Sequence, residues 1–205
     1  MKNFKISKRA IHLSLLFGLL CAIFASFANF NAACDDLRGN VLRLHIIANS
    51  DSEEDQALKL KVRDRLLKES SGLFKNAESI DDAIIVATEK SADIEEIANS
   101  VIKENNFSYT AEVAVDNSYF ETREYEDFTL PAGTYQSLII TIGEGKGKNW
   151  WCVIFPEVCL PAASAGSLND TANEKGTEIA YNAKRYKCSF FVVELYEDIK
   201  KLINK

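Results

Sequence analysis

The chain opens on a basic segment, Lys2, Lys5, Lys8 and Arg9, followed at residues 10–28 by nineteen positions without Lys, Arg, Asp or Glu. A Leu- and Phe-rich run of that length just spans a bilayer core, and its basic flank is that of an export signal. Ser26 and Ala28 place small residues before a cleavage site after Ala28. An uncleaved membrane anchor would use the same residues, so both are carried as expectations. A lipoprotein-type signal ending at Cys34 fits less well, because Asn31 stands where an aliphatic residue belongs. The expected divisions are residues 1–28 as signal peptide or anchor, 29–40 as a linker and 41–205 as an extracytoplasmic domain.

Charge narrows the partners. Removing the first 28 residues takes the formal charge from −6 to −10, because that segment holds four basic residues and no acid. A domain this acidic is repelled by nucleic acid and by anionic lipid head groups. No nucleic-acid partner is expected, and membrane contact is expected only through the N-terminal segment. Beyond Cys21 in the apolar run, four cysteines remain, and they permit three pairings. Cys152 and Cys159 flank a strand end and a proline turn, which makes them one candidate disulfide. Alternatively, Cys152 and Cys188 are small buried hydrophobes in apolar runs. A zinc site is not expected, since no C-x-x-C occurs and His45 is the one histidine after the apolar run.

Past residue 40 the pattern changes several times. Leu42, Leu44 and Ile46 alternate with Arg43 and His45, the mark of a half-buried strand. Asn49, Ser50, Asp51 and Ser52 then supply helix-start acceptors, and Glu53, Glu54 and Asp55 suit the positive end of a helix. Leu58, Val62 and Leu66 give that helix its apolar stripe over residues 53–68. Ser79 with Asp82 begins a second helix as a capping box, and Ser91 restarts a third that stops at Asn105 and Asn106. From Tyr109 the period becomes two, giving a strand over residues 109–115 and a short, charged one over 120–125. Two stronger strands follow at residues 135–142 and 149–155, joined by G-E-G-K-G-K in what reads as a hairpin. Residues 156–170 read as a loop, 171–187 are ambiguous, and 189–205 form an amphipathic helix. The expected fold is α+β, a single domain with a mixed or antiparallel sheet and packed helices.

Catalytic chemistry is thin. A Ser–His–Asp or Cys–His arrangement has only His45 for its base, on a strand beside Arg43, where a solvent-facing histidine is expected. The acidic pairs sit at helix starts or on polar helix faces, where dipole and solvent account for them. The glycine-rich stretch leads into a strand rather than a helix N-terminus, so it does not cradle phosphate. No catalytic residue, metal or cofactor is expected. Trp150 and Trp151 must point to opposite faces of their strand. Either helices cover both, or one of them anchors a protein partner.

The strings R-L-H-I-I-A-N-S-D-S-E-E-D-Q-A-L-K-L-K-V-R-D at residues 43–64 and L-P-A-G-T-Y-Q-S-L-I-I-T-I-G-E-G-K-G-K-N-W-W-C-V-I-F-P-E-V-C at 130–159 resemble the stage II sporulation protein R family. The resemblance implies a protein exported from the forespore into the space between the two septal membranes. It implies as partner a membrane-embedded, aspartic-type protease of the mother cell, which removes the pro-segment of a sigma factor once switched on. A ligand shifts such an equilibrium only through different affinities for its two states. The surface candidates are Asn49, Ser50, Asp51, Asp55 and Gln56 at the strand–helix junction, with helix capping as the alternative role. Asn149, Trp150 and Trp151 lie in the second candidate surface, residues 145–151. Rival readings are an exported cell-wall hydrolase and a membrane-tethered structural protein of the septum.

Overall fold

Elements form where the sequence period changes, and long-range packing then decides which faces close. The computed structural model describes residues 7–69, 73–125, 127–156, 168 and 171–203. In chain order the elements are α1 (Lys8–Gly39), β1 (Leu42–Ile47), α2 (Glu53–Glu69), α3 (Ile80–Glu89), α4 (Ser91–Glu104), β2 (Ala111–Phe120), β3 (Arg123–Glu124) and β4 (Thr129–Leu130). After them come β5 (Gly133–Ile142), β6 (Asn149–Phe155), α5 (Glu174–Tyr181) and α6 (Lys187–Ile203). Four strands make a mixed sheet in the order β2-β5-β1-β6, so the fold is α+β as the sequence patterns require. The Ser79–Asp82 capping box forms at the start of α3.

β1 lies inside the sheet, parallel to β5 and antiparallel to β6. The strands at 135–142 and 149–155 are therefore not hairpin neighbours. β1 is inserted between them, and the glycine-rich stretch arches over its C-terminal end. A strand with partners on both sides and helices over its faces is buried throughout, and Leu42 to Ile46 are all buried. Leu44 and Ile46 join Leu138, Ile140 and Ile142 on the first face, against Leu58, Val62 and Leu66 of α2 and Ile94, Ala98 and Val101 of α4. On the second face, Leu37 of α1 and Ala180 of α5 close one half, over Phe120, Tyr135 and Val153.

Arg43 belongs to this second face and is fully buried. Its guanidinium lies 3.8 Å from the Phe120 ring centre and 4.9 Å from that of Tyr135, and it donates to the Tyr125 hydroxyl at 2.5 Å. Among the described residues no acid pairs with it, and its Nε and Nη1 lack acceptors. Burial lowers its pKa, partly offset by Tyr125 and Tyr135. Exchanging a buried, incompletely satisfied cation for an apolar chain of similar volume is commonly neutral or stabilising. Arg43→Met is thus expected to fold and to gain about 1 kcal/mol in urea unfolding. A loss of similar size would mean that the aromatic contacts outweigh the desolvation.

The expected linker at residues 29–40 is a correction. It continues α1 up to Gly39 and is part of the core. Phe30, Ala33, Cys34 and Leu37 recur at helical spacing and are buried. Phe30, Ala33 and Cys34 pack with Ile179, Phe190 and Val193. Cys34 is fully buried, and burial pushes its thiol pKa up to about 12. A lipid-bearing N-terminal cysteine does not fit that position. Arg38 follows, donating to the carbonyl of Ala132 at 2.5 Å and to Asp35 at 2.7 Å. Residues 7–26, by contrast, are exposed throughout. That half of α1 is long and apolar enough to cross a membrane by length and composition, and fits a signal or an anchor.

Candidate functional site

Two regions separated by about ninety residues of sequence meet at the C-terminal end of β1. Asn49 accepts the Glu144 N–H on its Oδ1 at 2.9 Å, and its main-chain carbonyl accepts the Lys146 N–H at 3.1 Å. Gly147 N–H donates to the Ala48 carbonyl at 2.9 Å, and Lys148 N–H to Asp51 Oδ1 at 2.7 Å. The arch needs its glycines. Gly143 and Gly145 have φ of 58° and 61°, in the left-handed region that favours glycine. A Cβ on Gly147 would run into the Ser50 carbonyl, so Gly147→Ala is expected to cost about 2 kcal/mol through a displaced arch. The urea midpoint checks this.

Asp55 is the centre of the junction and is buried. It accepts from Ser50 Oγ at 2.6 Å, from Asn49 Nδ2 at 2.8 Å and from the Tyr109 hydroxyl, while its own N–H donates to Ser52 Oγ at 3.2 Å. Burial raises its pKa, but the hydrogen bonds from Ser50, Tyr109 and Asn49 outweigh that and hold it below the usual carboxylate value. Gln56 donates to the Ser50 carbonyl and accepts from Lys59, whose Nζ also donates to the Lys148 carbonyl at 2.8 Å. The side chains of Asp55 and Gln56 are consumed in holding strand, helix and arch together. Asp51 with Glu144, Lys146 and Lys148 of the arch form the exposed rim.

Trp150 and Trp151 do point to opposite faces. Trp150 packs on the first-face core with the Arg63 guanidinium 5.1 Å from its ring centre. Trp151 stacks on His45 at 4.0 Å and meets Phe120 at 4.5 Å. Both are half-buried. His45 is not solvent-facing as expected from its strand position: it is 9% exposed, covered by these rings. Its Nε2 donates to Asn149 Oδ1 at 2.9 Å, and burial lowers its pKa despite that bond. Among the described residues no acid pairs with His45, whose ring is held between Trp151 and Asn149.

The register shows a surface that periodicity alone did not reveal. His45 pairs with Ile139, Ile47 with Thr141, and Ala114 with Ile139, all on the second face. α1 and α5 close the other half of this face, leaving Ile47, Ile139, Thr141 and Trp151 half-exposed and Ala114, Glu112 and Asn149 exposed. Among the described residues nothing covers this stretch of the sheet, which is bordered by the glycine arch. The sequence signal for it was present in Thr141, a polar residue after the apolar run Leu138–Ile140, and in Ala114, a small residue between Val113 and Val115. Cys152 is buried on β6, while its candidate partner Cys159 lies outside the described residues. Among the described residues no group of His, Cys, Asp and Glu is arranged to hold a metal ion.

An apolar N-terminal helix that fits a signal or a membrane anchor leads into a mixed-sheet α+β domain whose second sheet face is half open beside the glycine arch. Residues 38–165 match the family model for stage II sporulation protein R, and the chain belongs to that family. It is 37% identical over 142 residues to the stage II sporulation protein R of Bacillus subtilis strain 168. The alignment covers 67% of this chain and 63% of that relative, so the chain spans less than two thirds of the relative's length. No solved structure matches the chain.

Proposed function

We propose that this chain is an exported signal of endospore formation that activates a membrane-embedded, aspartic-type protease of the mother cell, which then processes a pro-sigma factor. The observation that carries the reading is the open half of the second sheet face beside the arch. It offers apolar contact at Ile47, Ile139 and Trp151, rimmed by Asn149, Asp51 and Lys148, in the manner of a protein interface with an apolar centre and polar edge. Family membership and the exportable N-terminal helix support the same reading. The chain works between the two septal membranes, reached through α1 as signal or anchor, and contributes binding energy rather than a catalytic group. A Cys152–Cys159 disulfide would tie the middle of β6 to the segment that follows it, and mass analysis of non-reduced peptides checks it.

Binding separates this reading from the hydrolase and the septal tether. Ala114 is exposed and directly opposite Ile139, so Ala114→Arg is expected to leave stability within about 0.5 kcal/mol. It should nevertheless weaken capture of the detergent-solubilised protease by the full chain at least roughly tenfold. Unchanged capture would place the interface elsewhere. A tether needs α1 uncleaved, which N-terminal sequencing of the exported form decides.

A further inference from the structure

α6 carries two apolar faces, and only one of them is used inside the domain. Phe190, Val193 and Glu197 form the buried face, against Phe30 and Ile179 and near Arg38. Phe191, Val192, Leu195, Tyr196, Ile199, Leu202 and Ile203 are all exposed, Phe191 by 67% and Leu202 by 74%. At 3.6 residues per turn these seven occupy an arc of roughly 140° that no charged residue interrupts. The exposed Cys188 falls in the same arc. Asp198, Lys187 and Glu194 border one edge, and Ser189 and Lys200 the other. This is the layout of a helix lying in a membrane interface, apolar residues down and lysines at the margin.

The position of α6 identifies what covers that face. Going toward its N-terminus, α1 is last partly buried at Phe27, whose ring centre lies 5.9 Å from that of Tyr196 of α6. Residues 10–26 of α1 are exposed and hold no Lys, Arg, Asp or Glu, and Leu13, Phe17, Ile23 and Phe24 are among them. Tyr196 belongs to the exposed face of α6, so the two apolar surfaces meet at the Phe27–Tyr196 contact. α6 also lies outside the residues the family model matches.

We infer that α6 seats the domain on the lipid surface, with the arc centred on Leu195 and Ile199 inserted among the acyl chains next to the point where α1 enters the bilayer. The domain then has two membrane contacts, α1 and α6, which fix its orientation instead of leaving it to swing on one helix. The acidic charge of the domain does not oppose this, because the contact is apolar and needs no anionic lipid. The inference does not depend on which protein the chain activates.

The test uses the full chain reconstituted through α1 into phosphatidylcholine vesicles. Cys21 and Cys188 are replaced by Ala, and an environment-sensitive dye is attached at Leu195→Cys, at Ile199→Cys or, off the arc, at Glu194→Cys. The chain with no added cysteine supplies the background. Lipids carrying a nitroxide just below the head group are expected to quench the dyes at 195 and 199 at least roughly twofold more than the dye at 194, while aqueous iodide shows the reverse order. Equal iodide quenching at all three positions would overturn the inference. So would shielding from iodide without nitroxide quenching, which would mean that protein covers the face, with a second copy identified by energy transfer between labelled chains.

Discussion

A chain shortened to begin at Val41 is expected to lose its cooperative unfolding transition, whereas one beginning at Asn29 keeps it. Four of the residues removed by the shorter form, Phe30, Ala33, Cys34 and Leu37, are buried, and Leu37 and Cys34 are wholly so. Burial of a side chain such as Leu or Phe is worth about 1.5–3 kcal/mol, and leaving the space empty adds a cavity term of similar order. The Arg38 bridge to the Ala132 carbonyl is lost as well, exposing the Gly133 backbone that its side chain covers. The sum is on the order of 6–10 kcal/mol, as large as the whole stability of an ordinary domain. Circular dichroism melts of the two forms decide it. A cooperative melt from the Val41 form would mean that the tail of α1 is only draped on the domain. The boundary also suits export: cleavage after Ala28 leaves every buried residue of α1 in place, with Phe30 the first.

Asp55→Ala is expected to cost about 3 kcal/mol at pH 7, and Asp55→Asn about 2. The substitution leaves the Ser50 hydroxyl, the Asn49 amide and the Tyr109 hydroxyl without their shared acceptor. Each buried donor left unmade costs about 1–3 kcal/mol, reduced here because Ser50 and Asn49 are partly open to water. The pH dependence has a definite sign. A carboxyl whose folded pKa is depressed adds stability above its unfolded pKa and loses it as pH falls through the folded value. The gap between the natural chain and Asp55→Asn should therefore close on going from neutral pH to well below the ordinary carboxylate pKa of about 4. Urea midpoints for both proteins across that range measure it, and a gap that stays constant would mean that Asp55 acts through shape alone. Because the side chain is buried, the account expects binding per folded molecule to survive, so a loss of binding without loss of stability would return Asp55 to the interface.

Local chemistry was readable along most of the chain. The starts of α2 and α3 follow from the caps Ser52 and Ser79 with the apolar stripes behind them, because a capped amphipathic helix is specified within a dozen residues, while α4 restarts at Ser91 without a side-chain cap. The place of β1 was not readable. Arg43 and His45 looked like the wet side of a half-buried strand, and the rings that enclose them, Phe120, Tyr135 and Trp151, are far off in sequence. The insertion of β1 between β5 and β6 was missed for the same reason, since strand order is a long-range choice that a short glycine-rich link disguises as a hairpin. The tail of α1 carried its signal openly in the spacing of Phe30, Ala33, Cys34 and Leu37, but Asn29, Asn31, Asp35 and Asp36 made it look like a linker. For the candidate site, both sequence regions were named, though not that they form one body. Asp55 and Gln56 hold that body together, and the open patch of Ile47, Ile139 and Ala114 appears only once register is known.

The central claim is that the chain signals by binding and does not itself cut. The most direct measurement places the full chain on the outer side of membranes that carry the aspartic-type protease, with its pro-sigma substrate on the inner side, and follows pro-segment removal by gel. The account predicts processing only when chain and protease are both present, and its loss with the stably folded Ala114→Arg. Removal of the pro-segment by the chain without the protease, or processing by the protease that proceeds equally without the chain, would contradict it.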